Sequence, residues 1–286
     1  MISVERVLFP VDLSEQSRRA APFVKAMAKR FQAEVALLHV IGLPVAMYSP
    51  PEAAWGVLAS GERFREDREA EFETFAVDEL AGVPVVRDIA EGDAATQIDC
   101  YAKTKKVDLI MMPTHGYGTF RRLLIGSVTA KILHDAKCPV WTGVHLSEPA
   151  ARDADQCKRI VCAVDTNPKD ASVIQWANEF AKQRGAELIL VHAIPGAQIC
   201  GPASDGFRDF LFNSARETMD RILDDAGLAL EVTLHGGKPE HVVHDMVLDR
   251  DADLVIVGRG VDHALGRLRS NAYAIIRESP CPVISV

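Results

Sequence analysis

No run of apolar residues in this sequence approaches the roughly 18–20 needed to cross a bilayer as a helix. The amino terminus, MISVERVLFPVDLS, has charges at Glu5 and Arg6 where a secretory leader needs an apolar core, so a cytoplasmic location is expected. Basic excess is also missing: 32 Lys and Arg stand against 40 Asp and Glu, a net charge of −8. A chain of that sign has no general attraction for nucleic acid or an anionic membrane, so neither is expected as a partner. Its six cysteines, Cys100, Cys138, Cys157, Cys162, Cys200 and Cys281, form no CxxC pair and follow no regular spacing. Reduced thiols, several of them in apolar strands, are expected rather than a disulfide framework. The H-E-x-x-H and G-x-x-x-x-G-K-[ST] motifs are absent, as are a Ser-His-Asp arrangement and the SGGxDS-type loop of ATP pyrophosphatases. Nothing in the sequence places a strong general base for fast chemistry.

What is present is a repeat. RVLFPVDLS (6–14) is matched by RIVCAVDTN (159–167), and AKRFQAEVALLHV (28–40) by AKQRGAELILVHA (181–193), both at an offset of 153. VDLIMMPTHG (107–116) is matched by ADLVIVGRGV (252–261) and CPVWTGV (138–144) by CPVISV (281–286), so the order is kept while short deletions shrink the offset. Two copies of one domain account for this: 1–145 and 158–286, with the polar stretch 146–157 as linker.

Each copy alternates short apolar runs with helical patterns. In the first, strands are expected near 4–11, 34–41, 83–90, 107–113 and 138–144, and helices near 15–31, 62–81, 94–105 and 127–136. In the second, strands are expected near 158–165, 187–194, 229–235, 252–258 and 282–286, and helices near 168–184, 205–226, 239–250 and 270–278. Near-continuous runs such as EVALLHV suit strands covered on both faces. The expected fold is α/β: two tandem Rossmann-like domains, each a five-stranded parallel sheet flanked by helices. The stretch 42–61, with Pro44, Pro50 and Pro51, reads as a long irregular loop.

In open parallel sheets, ligands bind beyond the carboxyl ends of the strands, where strand order reverses. Three segments of the first copy converge there: Pro10-Val11-Asp12, His39-Val40, and the stretch PTHGYGTFRRLLIGSVT from Pro113. A helix opening at Gly126-Ser127 would present free backbone N–H groups and a positive dipole end to a phosphate. Gly126 lets the backbone come close, and the hydroxyls of Ser127 and Thr129 can donate. His115 lies in the loop, and Arg121 and Arg122 either steer phosphate or line a surface. Val11 and Val40 offer apolar edges to a flat base, and Asp12 can accept from an amino group or a ribose hydroxyl. Ser127 reads equally well as a plain helix cap. His39 and its counterpart His192 read as packed, hydrogen-bonded side chains. His241 and His244, i and i+3 on one helix, could hold zinc with His235, but a solvated helix face is the plainer reading, and no metal is expected.

The PVDLS opening, ALLHV, EGDAATQI (91–98) and the THG…GSVTAKILHDAKCPV run (114–140) resemble the universal stress protein family in its tandem two-domain form. The resemblance covers both halves and implies five parallel strands per domain. It implies ATP, or another adenine nucleotide, bound through a G-x2-G-x9-G-[ST] loop that falls on Pro113, Gly116, Gly126 and Ser127. Val128 and Thr129 follow in the same turn, and any magnesium would arrive with ATP. Proline replaces the first glycine, removing one N–H and fixing φ. In the second copy the pattern meets Gly258, Val261 and Arg269-Ser270 across a shorter spacer, so that loop reads as degenerate. The family's association through last strands implies that CPVWTGV and CPVISV pair within the chain and that whole chains form a homodimer. Three functions stay open: a cytoplasmic stress-response protein regulated by a nucleotide in the first domain, a nucleotide-free scaffold acting through protein association, and a weak ATPase.

Overall fold

The computed structural model describes residues 2–42, 51–113, 125–143, 157–167, 170–197, 205–259 and 270–286. The chain divides into two compact units, Ser3–Val140 and Trp141–Val286. The first unit contains β1 (Arg6–Val11), α1 (Glu15–Phe31), β2 (Glu34–Ile41), α2 (Pro51–Thr74), β3 (Val85–Glu91), α3 (Ala94–Thr104), β4 (Leu109–Pro113) and α4 (Ser127–Asp135). Its strand order is β3-β2-β1-β4, and β1 pairs in parallel with both β2 and β4. Connections leave β1 toward β2 and β3, and the chain then returns to the other side of β1 as β4. Strand order therefore reverses between β1 and β4.

Sequence pattern explains these elements. β1, β2 and β4 are buried along almost their whole length, as continuous Val, Leu, Ile and Met runs require when both faces are covered. α1 buries Ala20, Ala21, Val24, Met27 and Ala28, a stripe at helical spacing, and packs on β4. It ends at Gln32, whose φ of 57° is the left-handed conformation that closes many helices.

The expected loop over 42–61 is corrected in part. α2 begins at Pro51, so its first turns occupy 51–61, while Pro44 and Pro50 lie outside the described residues. A proline at the first helical position costs nothing, because that N–H has no intrahelical partner in any helix.

The chain continues as β5 (Val140–Gly143), β6 (Arg159–Ala163), α5 (Asp170–Arg184), β7 (Glu187–Ile194), α6 (Asp205–Ala226), β8 (Val232–Gly236), α7 (Pro239–Asp249), β9 (Leu254–Val257), α8 (Ser270–Glu278) and β10 (Val283–Ser285). Five strands per repeat, flanked by helices, is thus the architecture, with parallel pairing among β1–β4 and among β6–β10. From Trp141 onward β5 belongs to the second unit, whose strand order is β5-β10-β9-β6-β7-β8. There the Thr142 hydroxyl donates to the Val283 carbonyl at 3.3 Å, with Thr142 fully buried.

Candidate functional site

The reversal point of the first unit is a cavity of about 790 Å³. Nine residues singled out from sequence line it: Pro10, Val11 and Asp12 from the end of β1, Val40 from β2, Pro113 from β4, and Gly126, Ser127, Val128 and Thr129 at the opening of α4. His115, Gly116, Arg121 and Arg122 lie outside the described residues.

Gly126 occupies the N-cap position of α4 with φ −59° and ψ 149°, and no side chain caps this end. The first intrahelical bond runs from Ala130 N–H to the Gly126 carbonyl at 2.8 Å. The amides of Ser127, Val128 and Thr129 precede it and have no partner within the helix. Ser127 is therefore not the cap but the first helical residue, exposed at the cavity wall.

Thr129 departs from its expected role as a phosphate donor. It is buried, and its hydroxyl donates to the Pro113 carbonyl at 3.2 Å. This bond ties the first turn of α4 to the end of β4.

Gly258 is the counterpart of Pro113 in the second copy, and the reason for glycine there is steric. A Cβ added at Gly258 would meet Val173 Cγ2 at 3.0 Å, and its φ is not in the left-handed region. Glycine is there for space rather than for conformation. The residue of α1 that matches Val173 at the repeat offset of 153 is Ala20, which has no γ carbons.

Asp12 is a cap as well as a wall. Its Oδ1 accepts from Ser14 N at 3.0 Å, Ser14 Oγ at 2.5 Å and Ser17 Oγ at 2.6 Å. Ser14 in turn caps α1, accepting from Ser17 N at 3.1 Å. These bonds hold Leu13 at φ 63°, an uncommon backbone conformation for a γ-branched residue. The PVDLS motif is thus a strand-to-helix turn that fixes a carboxylate at the cavity.

His39 and His192 are buried, as the sequence suggested. His39 Nδ1 lies 2.9 Å from the Val11 carbonyl, and His192 Nδ1 lies 2.9 Å from the Val164 carbonyl. A carbonyl only accepts, so each Nδ1 carries the proton. His39 also stacks on Phe72 of α2 at 5.8 Å and lines the cavity.

The flank from β3 to α3 follows from EGDAATQI. Gly92, at φ 131°, adopts a conformation that side chains rarely take, and its N–H donates to the Ile41 carbonyl at 2.9 Å. Asp93 then caps α3, accepting from Thr96 Oγ1 at 2.6 Å, Thr96 N at 3.0 Å and Lys131 Nζ at 2.9 Å. The Thr96 hydroxyl first, and then Lys131, pull the Asp93 carboxyl down to about 2. Lys131 belongs to α4, so this cluster joins the two helices bordering the cavity.

Sequence reasoning missed the α2 side of the wall, Phe64 and Arg68, and the α3 side, Ala94 and Ile98. Phe64 and Arg68 stand four residues apart on α2, a spacing visible in the charged run 62–75 but legible as a cavity wall only once α2 is seated.

The second unit has a smaller cavity, about 180 Å³, at the corresponding strand ends. Asp165, Thr166, Asp170, His192, Gly258 and Asn271 line it. Asp165 N–H donates to Asp170 Oδ2 at 2.5 Å, so a carboxylate stands where the first unit has Ser17. Gly260, Val261 and Arg269 lie outside the described residues.

The three histidines weighed for zinc are not assembled. His241 Nε2 lies 3.8 Å from Glu278 Oε2, His244 Nδ1 lies 3.3 Å from Asp245 Oδ1, and His235 is exposed on β8. Among the described residues, no group of three or more His, Cys, Asp or Glu side chains could hold a metal ion, and no helix is long and apolar enough to cross a membrane.

A duplicated parallel α/β domain, with a cavity at the strand-order reversal of its first copy, defines the class. The universal stress protein family model matches the chain twice, over residues 3–142 and 156–286. This protein belongs to that family. A universal stress protein of Methanocaldococcus jannaschii is 33% identical over 137 residues, 48% of this chain and 79% of that protein. One of Mycolicibacterium smegmatis is 29% identical over 191 residues, 65% of this chain and 63% of its own length. The crystal structure of a universal stress protein from Archaeoglobus fulgidus matches with a TM-score of 0.61 at 21% identity, covering 98% of this chain and 95% of that one, a likeness of fold.

Proposed function

We propose that this universal stress protein binds an adenine nucleotide, ATP or a close relative, in the cavity of its first domain. It acts by ligand-dependent regulation or protection, with hydrolysis slow or absent. One observation carries the reading: the side-chain-uncapped amides opening α4 border a cavity of about 790 Å³. Such an end favours an anion, because unpartnered N–H groups and the helix dipole act together. The volume suits a small-molecule site, typically ~300–1,000 Å³. Val11 and Val40 supply apolar surface for a base, Asp12 an acceptor, and Gly126 close backbone approach. The Thr129 hydroxyl is committed to Pro113, so backbone amides and Ser127 take the phosphates.

The cavity of about 180 Å³ in the second unit falls below that range, so binding is expected at one nucleotide per chain. Isothermal titration with ATP tests both statements. Saturation near one equivalent, abolished by Gly126→Arg, supports the proposal. No heat at millimolar ATP, together with no nucleotide in protein purified without adding any, would leave the scaffold reading in its place.

A further inference from the structure

We infer that Arg68 and Phe64 of α2 contact the base–ribose end of the bound nucleotide, a reading that rests on the nucleotide site proposed above. Arg68 is one of the cavity's walls, and its Nε is buried with no hydrogen-bond partner among the described residues. A buried donor without an acceptor is destabilising, and an acceptor on a ligand would relieve that cost. One end of the guanidinium is paired: Arg68 Nη1 lies 2.8 Å from Glu71 Oε2, and the guanidinium carbon sits 5.2 Å from the centre of the Phe64 ring. Phe64 is 52% exposed, a large apolar ring at the cavity.

Position assigns the end of the ligand. In a parallel crossover the helix runs back against the strands, so the amino-terminal half of α2 projects past the carboxyl end of β2. Phe72 stacks on His39 near that end of β2. At a rise of ~1.5 Å per residue, Arg68 and Phe64 stand about 6 and 12 Å further out along the axis. The opening of α4 belongs to the β4 side. β1 lies between β2 and β4, and neighbouring strands are ~4.8 Å apart, so the two walls flank the cavity from opposite sides. With phosphates at α4, the base and ribose face α2. Glu71 also offsets the charge of Arg68, which weakens it as a phosphate attractor and leaves its N–H donors for base nitrogens or ribose oxygens.

The test compares adenosine, which has no phosphate, with ATP, using the full chain and isothermal titration. Arg68→Met keeps the apolar stem and removes the donors. It should weaken adenosine and ATP by the same factor, about tenfold or more. Phe64→Ala, at an exposed position that folding tolerates, should weaken both about fivefold through lost stacking; it decides the question if Arg68→Met fails to fold. Loss confined to ATP would place Arg68 on the phosphates, and unchanged affinity for both ligands in both variants would remove α2 from the site. Either result overturns the inference while leaving the nucleotide site standing. A wild-type chain that binds neither ligand would overturn both.

Discussion

Replacing Thr129 with valine separates two roles that the sequence left merged. Valine has nearly the shape of threonine, so the change deletes one hydroxyl from a site that is 4% exposed. The Pro113 carbonyl loses its donor at 3.2 Å. A typical bond contributes ~0.5–1.5 kcal/mol net, and stranding a buried acceptor costs ~1–3 kcal/mol. At 3.2 Å the bond is longer than the usual O–H···O range of about 2.5–3.0 Å, which favours the lower half of those figures. Exchanging hydroxyl for methyl returns up to ~0.8 kcal/mol of apolar transfer. The expected loss is about 1 kcal/mol, with a ceiling near 2. For a unit of this size that lowers Tm by roughly 3–5 °C, read by circular dichroism alongside urea unfolding. ATP affinity should change less than about threefold, because the hydroxyl proton already serves Pro113. A variant of unaltered stability with tenfold weaker ATP binding would refute this reasoning and return Thr129 to the phosphates.

Arg87 of β3 donates to the Phe72 carbonyl at 2.8 Å and the Phe75 carbonyl at 2.7 Å, where α2 ends; burial lowers its pKa. Arg87→Met should cost about 2 kcal/mol in urea unfolding, as charge-assisted bonds to helix-end carbonyls are lost. Asp93 is held below its usual value, so its stabilising contribution is complete above about pH 4 and is lost as pH falls through about 2. Carboxyl carbon shifts followed by NMR should show it ionised below pH 3, and Asp93→Asn should flatten the acid limb of the stability profile. Gly258→Ala should destabilise the second unit by about 1–2 kcal/mol through the 3.0 Å approach to Val173, and adding Val173→Ala should relieve most of that cost. Additive losses in the double variant would show that the crowding lies elsewhere.

Much of the fold was legible because local rules agreed with each other. α1 occupies 15–31, β2 34–41, β7 187–194, α6 205–226 and α8 270–278, the spans expected from periodicity and capping. The start of α2 was not legible, because clustered prolines usually mark loops, and only the position of Pro51 at a helix start makes it harmless. Among the cavity-lining residues, those at strand ends and at the opening of α4 were singled out from sequence position and resemblance. Arg68 and Phe64 were not. On the sequence they are two members of a charged helical run, and nothing local says which face of that run meets β2.

By itself, then, the order of residues determined the duplication, the alternation of strands and helices, and where backbone amides open beside the strand ends. These follow from short-range periodicity, turn chemistry and self-similarity. Tertiary structure alone decided that Thr129 spends its proton on Pro113, that Asp12 caps a turn, that Gly258 is crowded by Val173, and that α2 supplies a cavity wall. Each depends on the distance between segments far apart in the chain, which packing sets.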